Sequence, residues 1–276
     1  MTPPRLTDRA QLVRQRTRAA RDPAWFLHEE ALDEIQERLT LVNRTFTAPA
    51  VVTAAPPIWG RAFPGARLVA DAEVLDLEAG SHDLVVDALT LHWADDPVGR
   101  IVQARHALKP DGLYLGILFG GRTLHELRAS LAEAEARLTG GLSPRVVPMG
   151  EIRDLGALLQ RAGMALPVAD SVVRSVSYAT PFHLMRDLRA MGEGNAMAAR
   201  RRAIPPRALF AETARVYARS FGTPDGRVPA TFEMVVLTAW APDPSQPRPL
   251  RPGSAAMRLA DALGTSEHSA GEKAGQ

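Results

Sequence analysis

The alternation of apolar runs with amphipathic stretches in the middle of the chain constrains the fold more than any other feature. Short strands are predicted over 67–70 and 84–89, and the nearly continuous apolar run 113–119 is typical of a strand buried on both faces. Apolar residues at helical spacing occupy 97–108 and 124–138. Strands and helices in alternation predict a parallel α/β sheet with right-handed crossovers.

The flanking segments complete the predicted organisation. Further helices are predicted over 25–43 and 151–161, and further strands over 51–55, 164–168, 172–178 and 232–239. The segment before the last strand is arginine-rich and mostly helical in pattern. We therefore predict a basic flexible arm over 1–21, one domain over 22–264 with a helical insertion over 181–230, and a disordered tail over 265–276.

Composition excludes several classes of protein. The 276 residues include no cysteine, which excludes disulfide scaffolds, cysteine nucleophiles and thiolate metal sites. The formal net charge of +2 disfavours nucleic acid as the partner. No stretch approaches the ~20 apolar residues that a membrane-spanning helix needs, and the first 21 residues lack the apolar centre of a secretory signal. We therefore expect a cytoplasmic protein without a membrane span, and leave peripheral membrane association open.

Familiar catalytic motifs are missing from the sequence. The seven histidines form no HExxH pair, and there is no GxSxG nucleophile elbow, no P-loop and no GxGxxG turn. The sequence therefore predicts no metal site, and it assigns no catalytic residue.

The first unusual cluster of polar and aromatic residues lies at 89–97. It contains His92 and Trp93 and follows a predicted strand, so it lies at the edge where open α/β sheets bind ligands. These two rings could wall a pocket for a planar ligand. Alternatively, Trp93 anchors the loop in the core while Asp95 or Asp96 caps the next helix.

The second cluster, at 186–195, is followed by three consecutive arginines at 200–202. Arginine forks bind carboxylates and phosphates, so this region could contact an anionic substrate or a protein partner. A solvated helix face would have the same composition. The candidates for substrate or partner contact are Arg122, Arg186, Arg189 and Asn195.

Several stretches also match a known sequence pattern. The middle of the chain contains Val69-Ala70-Asp71-Ala72-Glu73, the segment 80–86, Leu91-His92-Trp93 and the turn 108–112. These resemble class I S-adenosylmethionine-dependent methyltransferases. The stretches 26–30, 119–128, 158–163 and 188–193, and 240–242 together with 251–255, narrow the resemblance to the branch of the respiratory complex I assembly factor and its alphaproteobacterial relatives. The malonyl-carrier-protein methyltransferase of biotin synthesis is a more distant look-alike.

The resemblance implies a Rossmann-like sheet of seven strands with an antiparallel last strand, and S-adenosylmethionine as the cofactor. It implies that Asp71 accepts a hydrogen bond from the adenine amino group. Ala72 and Glu73 would flank the adenine ring, and His92 and Trp93 would wall the pocket. The chemistry it implies is methyl transfer or the related hydroxylation, with a protein partner such as a complex I subunit.

The chain departs from this pattern where the methionine end of the cofactor should bind. The family pattern has an acidic residue and a glycine-rich turn after the first strand, because glycines let the backbone approach a ligand closely. The matching segment lacks both features and contains Pro56 and Pro57, which have no backbone N–H.

The spacing after this segment is also short. Only about a dozen residues separate Ala55 from Arg67, too few for a helix, a strand and a second helix. We therefore predict a sheet truncated near its first two strands. Two functions stay open: an S-adenosylmethionine-dependent enzyme, and a non-catalytic pseudoenzyme that acts as an assembly or scaffold protein.

Overall fold

Six strands form one sheet within residues 5–247, the part of the chain that the computed structural model describes. The strands are β1 (Pro49–Thr53), β2 (Arg67–Ala70), β3 (His82–Ala88), β4 (Leu108–Phe119), β5 (Ala165–Tyr178) and β6 (Val228–Trp240). Their spatial order is β2-β1-β3-β4-β6-β5. The first four pair in parallel, and β6 is antiparallel to both β4 and β5.

Eight α-helices accompany these strands in the same described part. They are α1 (Arg9–Ala19), α2 (Phe26–Leu41), α3 (Pro56–Ala62), α4 (Pro97–Ala107), α5 (His125–Thr139), α6 (Ile152–Arg161), α7 (Pro181–Ala190) and α8 (Arg207–Phe221). None of these helices is both long enough and apolar enough to cross a bilayer.

The sheet is covered on both faces because its central strand is apolar on both. In β4, Leu113, Leu115 and Ile117 pack with α2, α3, α5, α7 and α8, while Tyr114 and Leu118 pack with α4 and α6. This alternation follows from the two-residue period of a strand. The predicted α/β class, the parallel strands and the antiparallel last strand are therefore confirmed.

The segment between β1 and β2 is too short to contain a further strand, as the spacing predicts. Between β1 and β2 the chain forms only α3, so β2 pairs directly with β1, from Ala50 with Arg67 to Thr53 with Ala70. The truncation expected from the sequence is confirmed, and six strands are present in the described residues where the resemblance implies seven.

The predicted flexible arm is wrong for its described part. Residues 9–19 form α1, with the Asp8 carboxylate accepting a hydrogen bond from the Gln11 N–H at the helix start. Leu12 is 1% exposed, because α1 packs on the domain rather than extending into solvent. The arginine-rich segment 181–230 contains α7 and α8. The proposed domain end at 264 and the tail 265–276 lie outside the described residues.

Candidate functional site

The carboxyl ends of β1, β2 and β3 lie at one edge of the sheet, where open α/β sheets bind ligands. After β1 the chain turns directly into α3, whose first two residues are prolines. The Ala55 N–H donates to Thr53 Oγ1 at 2.9 Å, and the N–H groups of Ile58 and Trp59 donate to the Ala55 carbonyl. From 55 to 59 this turn therefore has no free backbone N–H for a ligand.

Asp71, the residue directly after β2, is enclosed by three arginines. Its side chain is 2% exposed. Arg9 and Arg16 reach it from α1, and Arg100 reaches it from α4. The distance from Arg9 Nη2 to Asp71 Oδ1 is 2.8 Å, and the distance from Arg100 Nη2 to the same oxygen is 2.6 Å. Arg16 Nη1 donates to the other carboxylate oxygen.

These arginines use most of the acceptor capacity of the carboxylate. Four guanidinium N–H contacts reach it, three at Oδ1 and one at Oδ2, and an ionised carboxylate offers about four acceptor sites. Burial on its own would raise the pKa of Asp71, but Arg16, Arg100 and Arg9 outweigh burial and hold that pKa below its ordinary value. Asp71 is therefore an ionised group already satisfied by the chain itself.

Arg100 links Asp71 to a second buried carboxylate, that of Asp87 on β3. Arg100 Nε lies 3.3 Å from Asp87 Oδ2, and Arg100 Nη2 donates to Thr90 Oγ1 at 2.9 Å. Burial raises the pKa of Asp87 despite the nearby guanidinium. Ala72 also contributes, because its carbonyl accepts a hydrogen bond from Arg100 Nη1 at 2.8 Å.

The start of the chain is fixed to this edge by further contacts. The Asp95 carboxylate accepts the backbone N–H groups of Leu6 and Thr7, both at 2.8 Å. Leu12 on α1 packs with Trp93 and with Ala196, a buried residue after α7. The helix α1 thus lies over the residues that the sequence assigns to the cofactor.

His92 and Trp93 share one acidic partner. Trp93 Nε1 donates to Glu193 Oε2 at 2.7 Å, and His92 Nε2 lies 3.2 Å from the same oxygen. Burial would raise the pKa of Glu193, but His92, Arg16 and Trp93 together hold it below its ordinary value. Trp93 is 2% exposed, as the anchoring interpretation expects, and it is also among the residues that line a cavity. The capping interpretation is confirmed for Asp96, which accepts the Gly99 N–H at 2.8 Å and begins α4.

The residues present do not fit S-adenosylmethionine in the way that the resemblance implies. The acid assigned to the adenine amino group is paired with arginines, and the segment 55–59 after β1 has no free backbone N–H for the methionine end. Glu73, the other assigned acid, is half exposed, and its carboxylate lies 3.5 Å from Arg9 Nε.

A cavity of about 310 Å³ lies between α5, α7, α8 and the segments after α5 and α7. None of its lining residues belongs to β1 or β2. The lining is largely apolar, with the Glu193 carboxylate and Asn195 among its polar groups. Four arginines also line it, namely Arg145, Arg189, Arg200 and Arg201.

The structure brings together two of the four residues predicted to contact a substrate or partner. Arg189 and Asn195 line the cavity, and Asn195 Nδ2 donates to the Pro144 carbonyl at 2.8 Å. Arg122 and Arg186 are exposed and lie outside the lining. Within residues 5–247, no group of three or more histidine or acidic side chains is arranged to hold a metal ion.

Sequence reasoning missed Arg9, Arg16, Arg100 and Glu193. Arg9 and Arg16 are seven residues apart, so they lie on one face of a helix, and this spacing was the available signal. For Arg100 no local pattern distinguishes it from other helix-face arginines, because its acidic partners come from other elements.

Comparison with known proteins finds similarity to methyltransferases and to arginine hydroxylases. A methyltransferase-domain family matches residues 32–116. The human arginine-hydroxylase NDUFAF5, mitochondrial, is 40% identical over 199 residues, which cover 72% of this chain and 57% of that protein. The Danio rerio NDUFAF5 is 38% identical, with 72% and 62% covered. The malonyl-[acyl-carrier protein] O-methyltransferase of Halorhodospira halophila is 35% identical, with 62% and 56% covered.

The match thus spans about six tenths of the length of the curated relatives. The family match at 32–116 includes β1, β2, β3 and α4. In sequence, this chain is similar to methyltransferase-domain proteins and, over 72% of its own length, to the mitochondrial arginine hydroxylase NDUFAF5.

Proposed function

We propose that this chain has the methyltransferase fold but does not bind S-adenosylmethionine, and that it acts by binding a protein partner. The observation that carries the proposal is the buried Asp71 carboxylate, enclosed by Arg9, Arg16 and Arg100. A cofactor that used Asp71 would have to displace guanidinium groups from a side chain that is 2% exposed.

The energetic cost of that displacement supports the proposal. Removing one partner from a buried ion pair costs about 3–5 kcal/mol, because the other charge stays buried and unpaired. Displacing α1 would also expose Leu12, whose burial contributes about 1.5–3 kcal/mol. The β1–α3 turn would offset little of this free-energy cost, because no backbone N–H between 55 and 59 is free to bind the cofactor.

One of the relatives supports a protein as the partner. The name of the malonyl-[acyl-carrier protein] O-methyltransferase says that this relative acts on an acyl-carrier protein. A role in assembling respiratory complex I, in the cytoplasm of a bacterium, is the partner and location that we propose for this chain.

Thermal unfolding with S-adenosylhomocysteine tests the proposal. At about 1 mM ligand, a site with a dissociation constant of about 10 µM would stabilise the native state by about 2.7 kcal/mol. We expect no change in melting temperature. A rise of several degrees would contradict the proposal.

A second candidate function is a working S-adenosylmethionine-dependent enzyme in which α1 is a lid. The retained Asp71-Ala72-Glu73 segment at the carboxyl end of β2 favours it. Glu193 also favours it, because a carboxylate that lines a cavity can bind a guanidinium such as a substrate arginine. The four arginines of the same cavity oppose a cationic substrate.

A double substitution separates the two candidates. Arg9→Ala with Arg16→Ala frees Asp71 from α1, and Arg14→Ala with Arg18→Ala is the matched control on the exposed face of the same helix. A lid predicts that S-adenosylhomocysteine binds the first variant more tightly than the wild type. Our proposal predicts no binding by either variant, because the turn after β1 is unchanged.

A further inference from the structure

The cavity between α5, α7 and α8 combines an apolar interior with unpaired positive charge. Its interior includes Leu127, Leu131, Met185, Met191, Phe210 and Phe232. Methionine side chains adapt to the shape of a ligand, and aromatic rings offer large contact areas. A volume of about 310 Å³ is at the lower end of the range for small-molecule pockets.

The four arginines of the lining differ in their partners. Arg145 pairs with Glu135 at 2.6 Å, and Arg200 pairs with Asp8 at 2.9 Å. Arg189 and Arg201 are exposed, and neither side chain has a hydrogen bond or ion pair within the described part of the chain. Two guanidinium groups are therefore free to bind an anion beside an apolar interior.

The charge of the lining decides which kind of ligand fits. Two of the four arginines are already paired with carboxylates. Two unpaired guanidinium groups therefore remain beside one lining carboxylate, that of Glu193, which already accepts hydrogen bonds from Trp93 and His92. A cation would meet net repulsion from this lining, and a neutral apolar molecule would leave Arg189 and Arg201 unused.

We propose that this cavity binds an amphipathic anion, with an apolar body of about ten heavy atoms in the interior and a carboxylate or phosphate on Arg189 and Arg201. This inference goes beyond the proposed function and does not depend on it, because no lining residue comes from β1 or β2. Guanidinium groups bind both kinds of anion through paired N–H donors.

Calorimetric titration of the full chain tests the proposal with three probes of one chain length. We expect decanoate and decyl phosphate to bind with one site per chain, and decyltrimethylammonium not to bind. The double variant Arg189→Ala with Arg201→Ala should weaken binding of both anions by about tenfold or more, because each charged hydrogen bond contributes about 1.5–3 kcal/mol.

A matched variant controls for the loss of two positive charges. Arg186→Ala with Arg207→Ala removes two exposed arginines that do not line the cavity, and we expect unchanged affinity. Met185→Trp fills part of the interior and should abolish binding of decanoate, with circular dichroism used to verify the fold.

Several results would overturn the proposal. They are no binding of either anion, equal affinity in the Arg189/Arg201 variant, or equal binding of the cation. Binding to phosphatidylglycerol vesicles without binding of monomeric decanoate would assign the arginines to a membrane surface and also overturn it. The readout differs from the S-adenosylhomocysteine test, so failure of one proposal is distinguishable from failure of the other.

Discussion

Arg16 on α1 forms an ion pair with Asp71 across 55 residues of sequence, and this contact joins the start of the chain to the carboxyl edge of the sheet. The side chain of Arg16 is 15% exposed, and that of Asp71 is 2% exposed. The segment that looks like a solvated arm therefore occupies the side of the fold where a cofactor would be expected.

Asp71→Asn should destabilise the protein strongly. The substitution keeps the shape of the side chain and removes the charge that balances Arg9, Arg16 and Arg100, so we expect a loss of about 3–5 kcal/mol in the free energy of unfolding. Urea unfolding measures it. Asp76→Asn is the control, because Asp76 pairs with Arg67 while 90% exposed, and should change stability by less than about 1 kcal/mol. Equal effects of the two substitutions would contradict this account.

Leu12→Ala should show whether α1 is part of the folded core. Leu12 is 1% exposed and packs with Trp93 and Ala196, so its truncation should cost about 2–5 kcal/mol. The neighbouring Val13 is 57% exposed, and Val13→Ala should change the free energy of unfolding by no more than about 0.5 kcal/mol. If Leu12→Ala were as mild as Val13→Ala, α1 would not be packed as described.

A pair of glycine substitutions isolates the contact between α1 and the segment after α7. Gly192 and Gly226 both have φ of +78°, so alanine pays a similar backbone cost of about 1–2 kcal/mol at each. A Cβ at Gly192 would lie 2.9 Å from Arg16 Cγ, whereas one at Gly226 would have nothing within 4 Å. We expect Gly192→Ala to be the more destabilising and to speed hydrogen exchange in α1. Faster exchange in both variants would argue against a specific contact.

The dependence of stability on pH should be altered by Glu135→Gln. The hydrogen bond from Arg145 is the main cause that lowers the pKa of Glu135 from 4.5 to about 2, against the effect of burial. Because the folded-state pKa is lowered, this stabilisation is fully present above about pH 4.5 and is lost as the pH falls through 2. Acid titration of the unfolding free energy should therefore have a smaller slope between these pH values in the variant.

The control for that titration is Glu29→Gln. Glu29 is exposed on α2, and within residues 5–247 its side chain has no hydrogen bond or ion pair. The slope in this variant should match that of the wild type. A loss of slope equal to that of Glu135→Gln would show that the Glu135–Arg145 pair is not responsible.

Local periodicity was sufficient to predict most of the sheet. The strand Arg67–Ala70 and the helix Pro97–Ala107 follow directly from apolar spacing and capping residues. The helix α3 is not among the predicted elements, although it begins directly after the strand predicted over 51–55 and proline is favoured at the first turn of a helix. The strands predicted over 164–168 and 172–178 are one strand, β5, because residues 169–171 also pair with β6.

A segment with the sequence of a turn lies within strand β4. The segment Lys109–Gly112 predicts a tight reversal, yet residues 108–119 form β4. Asp111 has φ of +57°, and the pairing with β3 shifts between His82 and Leu84, so the signal produces an irregularity within the strand. Proline and glycine identify where the backbone bends, but pairing with neighbouring strands decides whether the strand continues.

The candidate site could be predicted only in part. Its position at the carboxyl ends of the strands follows from topology, and the absence of the glycine-rich turn is visible in the sequence. The pairing of the Asp71 carboxylate with three arginines could not be predicted, because these arginines come from two helices and are 29 to 62 residues away in sequence. Contacts of that range depend on packing, which a local pattern does not encode.

The central claim is that the edge occupied by α1 does not bind the cofactor of the methyltransferase fold. Isothermal titration of the full chain with S-adenosylhomocysteine tests it most directly, with Asp71→Ala as the companion variant. The account predicts no heat of binding at millimolar ligand. Micromolar binding that is lost in Asp71→Ala would contradict it and would show that Asp71 holds the cofactor despite its arginines.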